Sequence, residues 1–383
     1  MCKFAEIVSY IRDLYNKPKG VINLHEPYFM GNEKKYLSDC IDTTFVSSVG
    51  KYVNQFEDMC IEFTGSQYAI ATMNGTAALH VSLVLSGVDQ NCEVLTQPLT
   101  FIATANAISY TDAIPVFLDV DKDTLGLSPD ALEQFLKDNC SIINGTCVNR
   151  ITGKVIKACI PMHTFGFPCR IDRIIDLCDK HHIVLIEDSA ESLGSYYKGK
   201  HTGTFGQFGV LSFNGNKTIT CGGGGMILTN DKDMAKKAKH ITTTAKLPHK
   251  WEYAHDMIAY NYRLTNLSAA LGCAQMEQLP IILENKRKTA RRYESFFEKD
   301  EDITFVKEAK DSTANYWLNT ILLPGGLERD KLLKETNEQG VMTRPIWKPM
   351  NKLEMFKGCQ TYDLTNSRWL EDRIVNIPSG VNV

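Results

Sequence analysis

The 383-residue chain has no uninterrupted run of about 18 apolar residues, the length that a membrane-crossing helix needs, so no membrane partner is expected. It has no block of Lys and Arg long enough to form a polyanion footprint, only pairs such as Lys34–Lys35 and Lys236–Lys237, and its formal net charge is −3. Nucleic acid is therefore not an expected partner. None of its twelve cysteines forms a C-x-x-C pair, and Cys140, Cys147, Cys159, Cys169 and Cys178 keep no zinc-like rhythm with histidines. Free, mostly buried thiols and no metal follow. The opening MCKFAEIVSYIRDLYNKPKG reads as an amphipathic helix carrying acidic residues that a signal peptide would lack, which points to the cytoplasm. Internal repeats, low-complexity segments and long Pro/Gly linkers are also missing, so the parts of the chain should share an interface with a cleft between them.

What is present is an alternation of apolar runs and helix-like stretches between about Tyr68 and Leu228: YAIATM then GTAALHVSLVLSG, EVLTQP then FIATANAISY, IPVFLDVD then SPDALEQFLKD. KACIPMH, CRIDRIIDLCDKHH, IVLIEDSA, FGVLSFN and GGMILTND continue it. This pattern predicts an α/β domain with a mostly parallel sheet covered on both faces. Beyond Asp231 the texture turns charged and helix-rich, then mixed around WLNTILLP and GVMTRPIW, which predicts a smaller C-terminal α+β domain. The boundaries read as an arm over residues 1–26, a large domain over 27–249 and a small domain over 250–383.

The stretch SFNGNKTITCGGGGM places Lys217 in a polar turn leaving the strand VLSF. Phosphate binding and Schiff-base chemistry are the two functional roles for such a lysine, against a plain solvated lysine. A Walker loop needs a glycine directly before the lysine, which is absent, and a dinucleotide fingerprint needs its glycines between strand and helix, whereas YAIATMNGTAALH carries one. That argues against a nicotinamide oxidoreductase. The four glycines Gly222 to Gly225 lead into a strand, so close backbone approach or an unusual backbone conformation beside the lysine explains them better.

Schiff-base chemistry on pyridoxal 5′-phosphate predicts companions: an acid at the ring nitrogen, a phosphate cradle and a flat group on the ring. IVLIEDSAESLG ends a strand on Glu187-Asp188, of which Asp188 is preferred, with the small Ala190 placed to lie under a ring. Alternation separates the two acids only weakly, because a doubly covered strand is apolar on both faces. MNGTAALHVSL puts Asn74, Gly75 and Thr76 at a helix N-terminus, either a plain cap or an anion site. Ser212 offers a hydroxyl to the same phosphate, and Phe101 an aromatic face.

Taken in order, NGTAALH, LTFIATANAI, IEDSAESLG, the FGVLSFNGNKTIT stretch, CGGGGMILTND and NYRLTNLSAALGCAQMEQL resemble the DegT/DnrJ/StrS family of sugar aminotransferases. The opening LHEPYFMGNEKKYLSDCIDTTFVSSVGKYVNQFE looks most like its LegC-like branch, near the bacillosamine and legionaminic acid pathways. The resemblance implies the aspartate-aminotransferase type of fold (fold type I) in a homodimer with shared active sites. It places Lys217 as the Schiff-base lysine, Asp188 at the pyridinium, Gly75, Thr76 and Ser212 at the phosphate and Phe101 on the ring. Asn261 matches a residue reaching the phosphate of the other subunit, and Glu191 stands where many members carry Gln or His near the ring hydroxyl. Ser47, Ser48, His163, Trp317 and Arg344 fall in segments near the family's sugar site. Dehydrating relatives carry histidine at the lysine position, so Lys217 favours aminotransfer. The implied reaction moves the amino group of L-glutamate to C4 of a nucleotide-linked 4-keto-6-deoxy sugar. UDP-2-acetamido-4-keto-2,4,6-trideoxyglucose, giving UDP-4-amino-4,6-dideoxy-N-acetylglucosamine, is the substrate that the branch suggests. The alternatives are a C3-keto sugar, GDP-4-keto-6-deoxymannose, or a non-catalytic cofactor-binding regulator.

Overall fold

The computed structural model describes residues 3–382. Seven strands build the large sheet: β1 (Tyr68–Thr72), β2 (Cys92–Thr96), β3 (Ile114–Leu118), β4 (Val155–Ile160), β5 (Val184–Asp188), β6 (Phe208–Ser212) and β7 (Gly225–Thr229). Their spatial order is β1-β7-β6-β5-β4-β2-β3, with Thr361–Tyr362 added beyond β3 and the ribbon Cys140–Ile143/Thr146–Asn149 attached at β4. β6, β5, β4, β2 and β3 run parallel, and β7 alone opposes its neighbours β1 and β6. The expected mostly parallel sheet is thus present, with one reversed strand. β7 begins on the last glycine of the run, and the connection from β6, residues 213–224, contains no helix of the kind that usually carries a crossover to a parallel neighbour.

Each apolar run forms a strand because it is covered on both faces; β2, β6 and β7 are buried almost throughout. The chain turns from β1 into helix Gly75–Leu85 and from β2 towards helix Ile102–Ser109 at one edge of the sheet. β5 and β6 end at the same edge on Asp188 and Ser212. Such an edge is where open parallel sheets bind ligands.

The second layer of structure is an antiparallel sheet of Thr304–Phe305, Asn319–Leu322, Ile374–Ile377 and Arg344–Pro345. The N-terminal helix Lys3–Leu14 packs into this part through Phe4, Ile7, Val8, Ile11 and Leu14. A 32-residue helix, Asn266–Phe297, joins the two parts. Its first half, from Ala269 to Leu283, packs with Phe56 and Phe213 of the large domain, and its second, from Ala290 to Phe297, with the small sheet. The proposed boundary at 249–250 falls in an exposed loop before this helix, while the packing changes hands inside the helix itself. Among the described residues no helix is long and apolar enough to cross a membrane, and no cluster of three or more His, Cys, Asp or Glu could hold a metal ion. The described cysteines are free thiols, all buried except the half-buried Cys359.

Candidate active site

A cavity of about 260 Å³ opens at the carboxyl edge of the sheet, walled by Asn74, Gly75, Thr76, Phe101, Asp188, Ala190, Ser212, Asn214 and Lys217, with Leu79, Ala103 and Met162 behind. Loops after β1, β2, β4, β5 and β6 therefore converge on one point.

At the β1 end, Asn74 caps the helix: its Oδ1 accepts from Ala77 N–H at 2.8 Å. The first-turn amides of Gly75 and Thr76 stay at the positive end of the helix, where an anion is favoured. Ser212 stands directly opposite, close enough that a Cβ on Gly75 would lie 3.1 Å from the Ser212 Cβ. The glycine run explains how strand and helix come so near. A Cβ at Gly225 would sit 2.4 Å from both the carbonyl carbon and oxygen of Asn74. The close approach is thus made to the helix N-terminus, not to the lysine. Gly225→Ala is expected to cost about 1–3 kcal/mol of stability and to weaken cofactor binding; thermal unfolding of the apoprotein and a pyridoxal phosphate titration check both.

Lys217 follows a turn closed by its own N–H to Asn214 O at 3.0 Å. Its amine lies 4.2 Å from the centre of the Trp317 ring and donates to Glu191 Oε1 at 3.1 Å. Trp317 is fixed in turn by its indole N–H, which donates to Asn216 O at 2.7 Å. Glu191 is buried, and its second oxygen accepts from Phe165 N–H at 2.9 Å. Burial pushes the Glu191 carboxyl up to about 7, the nearby Lys217 charge opposing this without cancelling it. A carboxyl raised from its ordinary 4.5 to about 7 favours the folded state fully below about pH 4.5 and loses that contribution as the pH rises through about 7. Across that window the change is ~3 kcal/mol. Glu191→Gln is therefore expected to narrow the stability difference of the apoprotein between pH 5 and pH 8 by roughly that amount, as read by denaturant titration at the two pH values.

The two acids ending β5 have different surroundings. Asp188 lines the cavity, accepting from Thr104 Oγ1 at 2.7 Å and from Ala190 N–H at 3.2 Å. Burial raises its carboxyl; the Thr104 and Ala190 bonds and the charge of Lys217 act the other way. Glu187 is turned away and accepts from the backbone N–H groups of Gly203, Phe205 and Gly206. It lies 3.1 Å from His163 Nε2. Burial alone would push the Glu187 carboxyl up, but His163 and these amides hold it below the ordinary range.

His163, expected near a sugar, is wholly buried behind the cavity wall. Its Nδ1 accepts from Cys169 N–H at 3.2 Å, which leaves the proton on Nε2 for Glu187. Both nitrogens are thus committed to structure, and the expected substrate contact gives way to a bracing role. Arg344 also lies outside the cavity wall: it is exposed and donates to Asn337 Oδ1 at 2.9 Å and Thr343 O at 2.8 Å. Ser47 and Ser48 sit in an N-terminal loop outside the cavity wall, Ser47 O accepting from Asn266 N–H. Asn261 is exposed, with Oδ1 accepting from Arg263 Nε at 3.3 Å. Phe101 is half exposed at the cavity mouth, its ring 6.4 Å from that of Trp347. Residues that the pattern did not single out include Asn214, Met162 and Thr104. Asn214 alone left a trace, in the polar NGNK turn.

The cavity fits pyridoxal phosphate. A primary amine and a carboxylate share its wall, a helix N-terminus faced by a serine hydroxyl forms one end, and the small Ala190 and the aromatic Phe101 offer flat surfaces. The fold and this wall define a fold type I pyridoxal phosphate enzyme.

The chain belongs to the DegT/DnrJ/EryC1/StrS aminotransferase family, whose model matches residues 28–383. It is 38% identical over 359 residues to GDP-perosamine synthase of Escherichia coli O157:H7, covering 94% of this chain and 93% of that protein. GDP-perosamine synthase of Vibrio cholerae is 36% identical over 364 residues, covering 94% of each. A solved DegT DnrJ EryC1 StrS aminotransferase from Brucella abortus superposes with a TM-score of 0.82 at 26% identity, covering 91% of this chain and 90% of that one. The protein is a pyridoxal phosphate-dependent sugar aminotransferase.

Proposed function

We propose that the enzyme transfers the amino group of L-glutamate to C4 of a nucleotide-linked 4-keto-6-deoxy hexose. The observation that carries this is the pairing of Lys217 and Asp188 on one cavity wall, within a chain related along nearly its whole length to sugar aminotransferases. Bound pyridoxal phosphate supplies a carbonyl to receive the amino group and a ring to hold electrons released at the donor's Cα. The residues do the rest. The amides of Gly75 and Thr76 and the hydroxyl of Ser212 would hold the phosphate, and Asp188 would orient the ring through its nitrogen. Glu191 would act on the ring hydroxyl, and Phe101 and Ala190 would flank the ring.

Lys217 Nζ takes the proton from the Cα of glutamate and later delivers one to C4 of the sugar, so donor and acceptor use one site in turn. Its position against Glu191 and Trp317 keeps the amine on the cavity wall between these steps.

Two subunits would complete each site. Exposed apolar side chains on the loop carrying Leu247, Trp251, Tyr253, Met257 and Ile258 support a homodimer, with Asn261 next to them reaching the partner's phosphate. Ser47 and Ser48 would act from the N-terminal loop in the same way. A nucleotide sugar made from cytoplasmic precursors suits the cytoplasm.

Two nucleotides are open to the same framework. The names of the relatives support GDP-4-keto-6-deoxymannose. The LegC-like opening segment supports UDP-2-acetamido-4-keto-2,4,6-trideoxyglucose. Incubation with pyridoxal phosphate, L-glutamate and each sugar, followed by mass and stereochemical analysis, decides between them. One sugar should gain an amine at C4 at least tenfold faster than the other. Amination at C3, or of neither sugar, refutes the proposal.

A further inference from the structure

Behind Asp188 lies a short chain of buried hydroxyls that the proposed chemistry does not yet use. Thr104 Oγ1 donates to Asp188 Oδ2 at 2.7 Å. Thr104 and Thr100 have their hydroxyl oxygens 2.7 Å apart, and both residues are fully buried. A threonine carries one hydroxyl proton. Because that of Thr104 is given to the carboxylate, its oxygen must accept from Thr100. The Thr100 proton is then directed to Thr104, with Met162 Sδ, 3.0 Å from the same hydroxyl, as the weaker competing acceptor. The order is Thr100 to Thr104 to Asp188, each donor polarised by the next, an arrangement in which hydrogen bonds strengthen one another.

The relay occupies one carboxylate oxygen and leaves the other. Asp188 Oδ1 accepts only the longer bond from Ala190 N–H, at 3.2 Å. Thr104 lies in the first turn of helix Ile102–Ser109, so the loop and helix that carry Phe101 onto the cavity also carry this hydroxyl to the carboxylate.

We propose that Thr104 is a positioning residue for the cofactor. With Thr100 behind it, Thr104 keeps the Asp188 carboxylate ionised and turned so that Oδ1 meets the protonated pyridine nitrogen. Without the relay, a buried carboxylate with one long amide bond would hold its charge less firmly, and an uncharged acid attracts the ring cation far less. This rests on Asp188 being the partner of the ring nitrogen.

The test uses Thr104→Val, which keeps the shape and removes the donor, Thr104→Ser, which restores the hydroxyl, and Thr100→Val. Each purified apoprotein is titrated with pyridoxal phosphate and its visible absorption recorded. Thr104→Val is expected to weaken cofactor binding by about tenfold to a hundredfold, the factor that one hydrogen bond to a charged group carries, and to shift the bound-cofactor absorption. Thr104→Ser should recover most of both, and Thr100→Val should show a smaller effect of the same sign. In an Asp188→Asn background, Thr104→Val should add little. If Asp188→Asn itself leaves affinity and absorption unchanged, the assignment of Asp188 fails. If Asp188→Asn weakens binding while Thr104→Val stays within twofold of the parent, the relay is refuted. Should Thr104→Val not fold, Thr100→Val decides: an unchanged affinity and spectrum overturn the relay.

Discussion

Lys217→Ala is expected to abolish transamination, lowering single-turnover release of 2-oxoglutarate from L-glutamate by at least ~10⁴-fold. No other amine on the cavity wall can carry the proton. The nearest rival in chemical terms is Lys286, whose ammonium burial lowers to about 7, so that part of it is neutral near pH 7. Geometry removes it from contention. Its amine donates to Trp317 O at 3.2 Å and Ser379 O at 2.6 Å, and it does not line the cavity. Lys286→Met should accordingly disturb stability more than chemistry. The Lys217→Ala protein should remain folded, since Glu191 keeps its bond from Phe165 N–H and needs only to take up a proton. A variant that turned over at the parental rate would remove Lys217 from the mechanism.

Asp188→Asn should lower the rate by roughly 10²- to 10³-fold, the size of effect that follows when one member of a buried ion pair is lost, about 3–4 kcal/mol. Asparagine is nearly the same shape and can still accept from Thr104, so the thermal midpoint of the apoprotein should shift little. The contrast with Glu187→Gln sharpens the test. Glu187 meets three backbone amides and His163 outside the cavity, so its replacement should cost stability first and activity only as a consequence. If both substitutions lowered the rate equally with no loss of stability from Glu187→Gln, the division of labour between the two acids would be wrong.

Much of the fold is legible in the sequence because strands covered on both faces appear as unbroken apolar runs. VLIED and FGVLS announce β5 and β6, and the residues that end them, Asp188 and Ser212, fall at the cavity for that reason. The glycine run announces a close approach, though not its target, since the Asn74 carbonyl that a Cβ on Gly225 would meet at 2.4 Å belongs to a residue far away in the chain. What pattern does not carry is the direction of a side chain on a doubly buried strand or in the loop that follows it. Glu187 and Asp188 are indistinguishable by periodicity, and His163 looks like a cleft residue until Cys169 N–H and Glu187 are seen to claim both its nitrogens. Thr104 is invisible for a related reason: its partner lies 84 residues away, brought near only by the strand order. The domain boundary blurs where one helix of 32 residues serves two cores.

The most direct test of this account is to reduce the enzyme carrying pyridoxal phosphate with borohydride, digest it and locate the cofactor adduct by mass spectrometry. The account predicts a single adduct on Lys217, absent when excess L-glutamate is added before reduction because the amino group has by then passed to the cofactor. An adduct on Lys286 or another lysine, or one on Lys217 that glutamate does not remove, would contradict it.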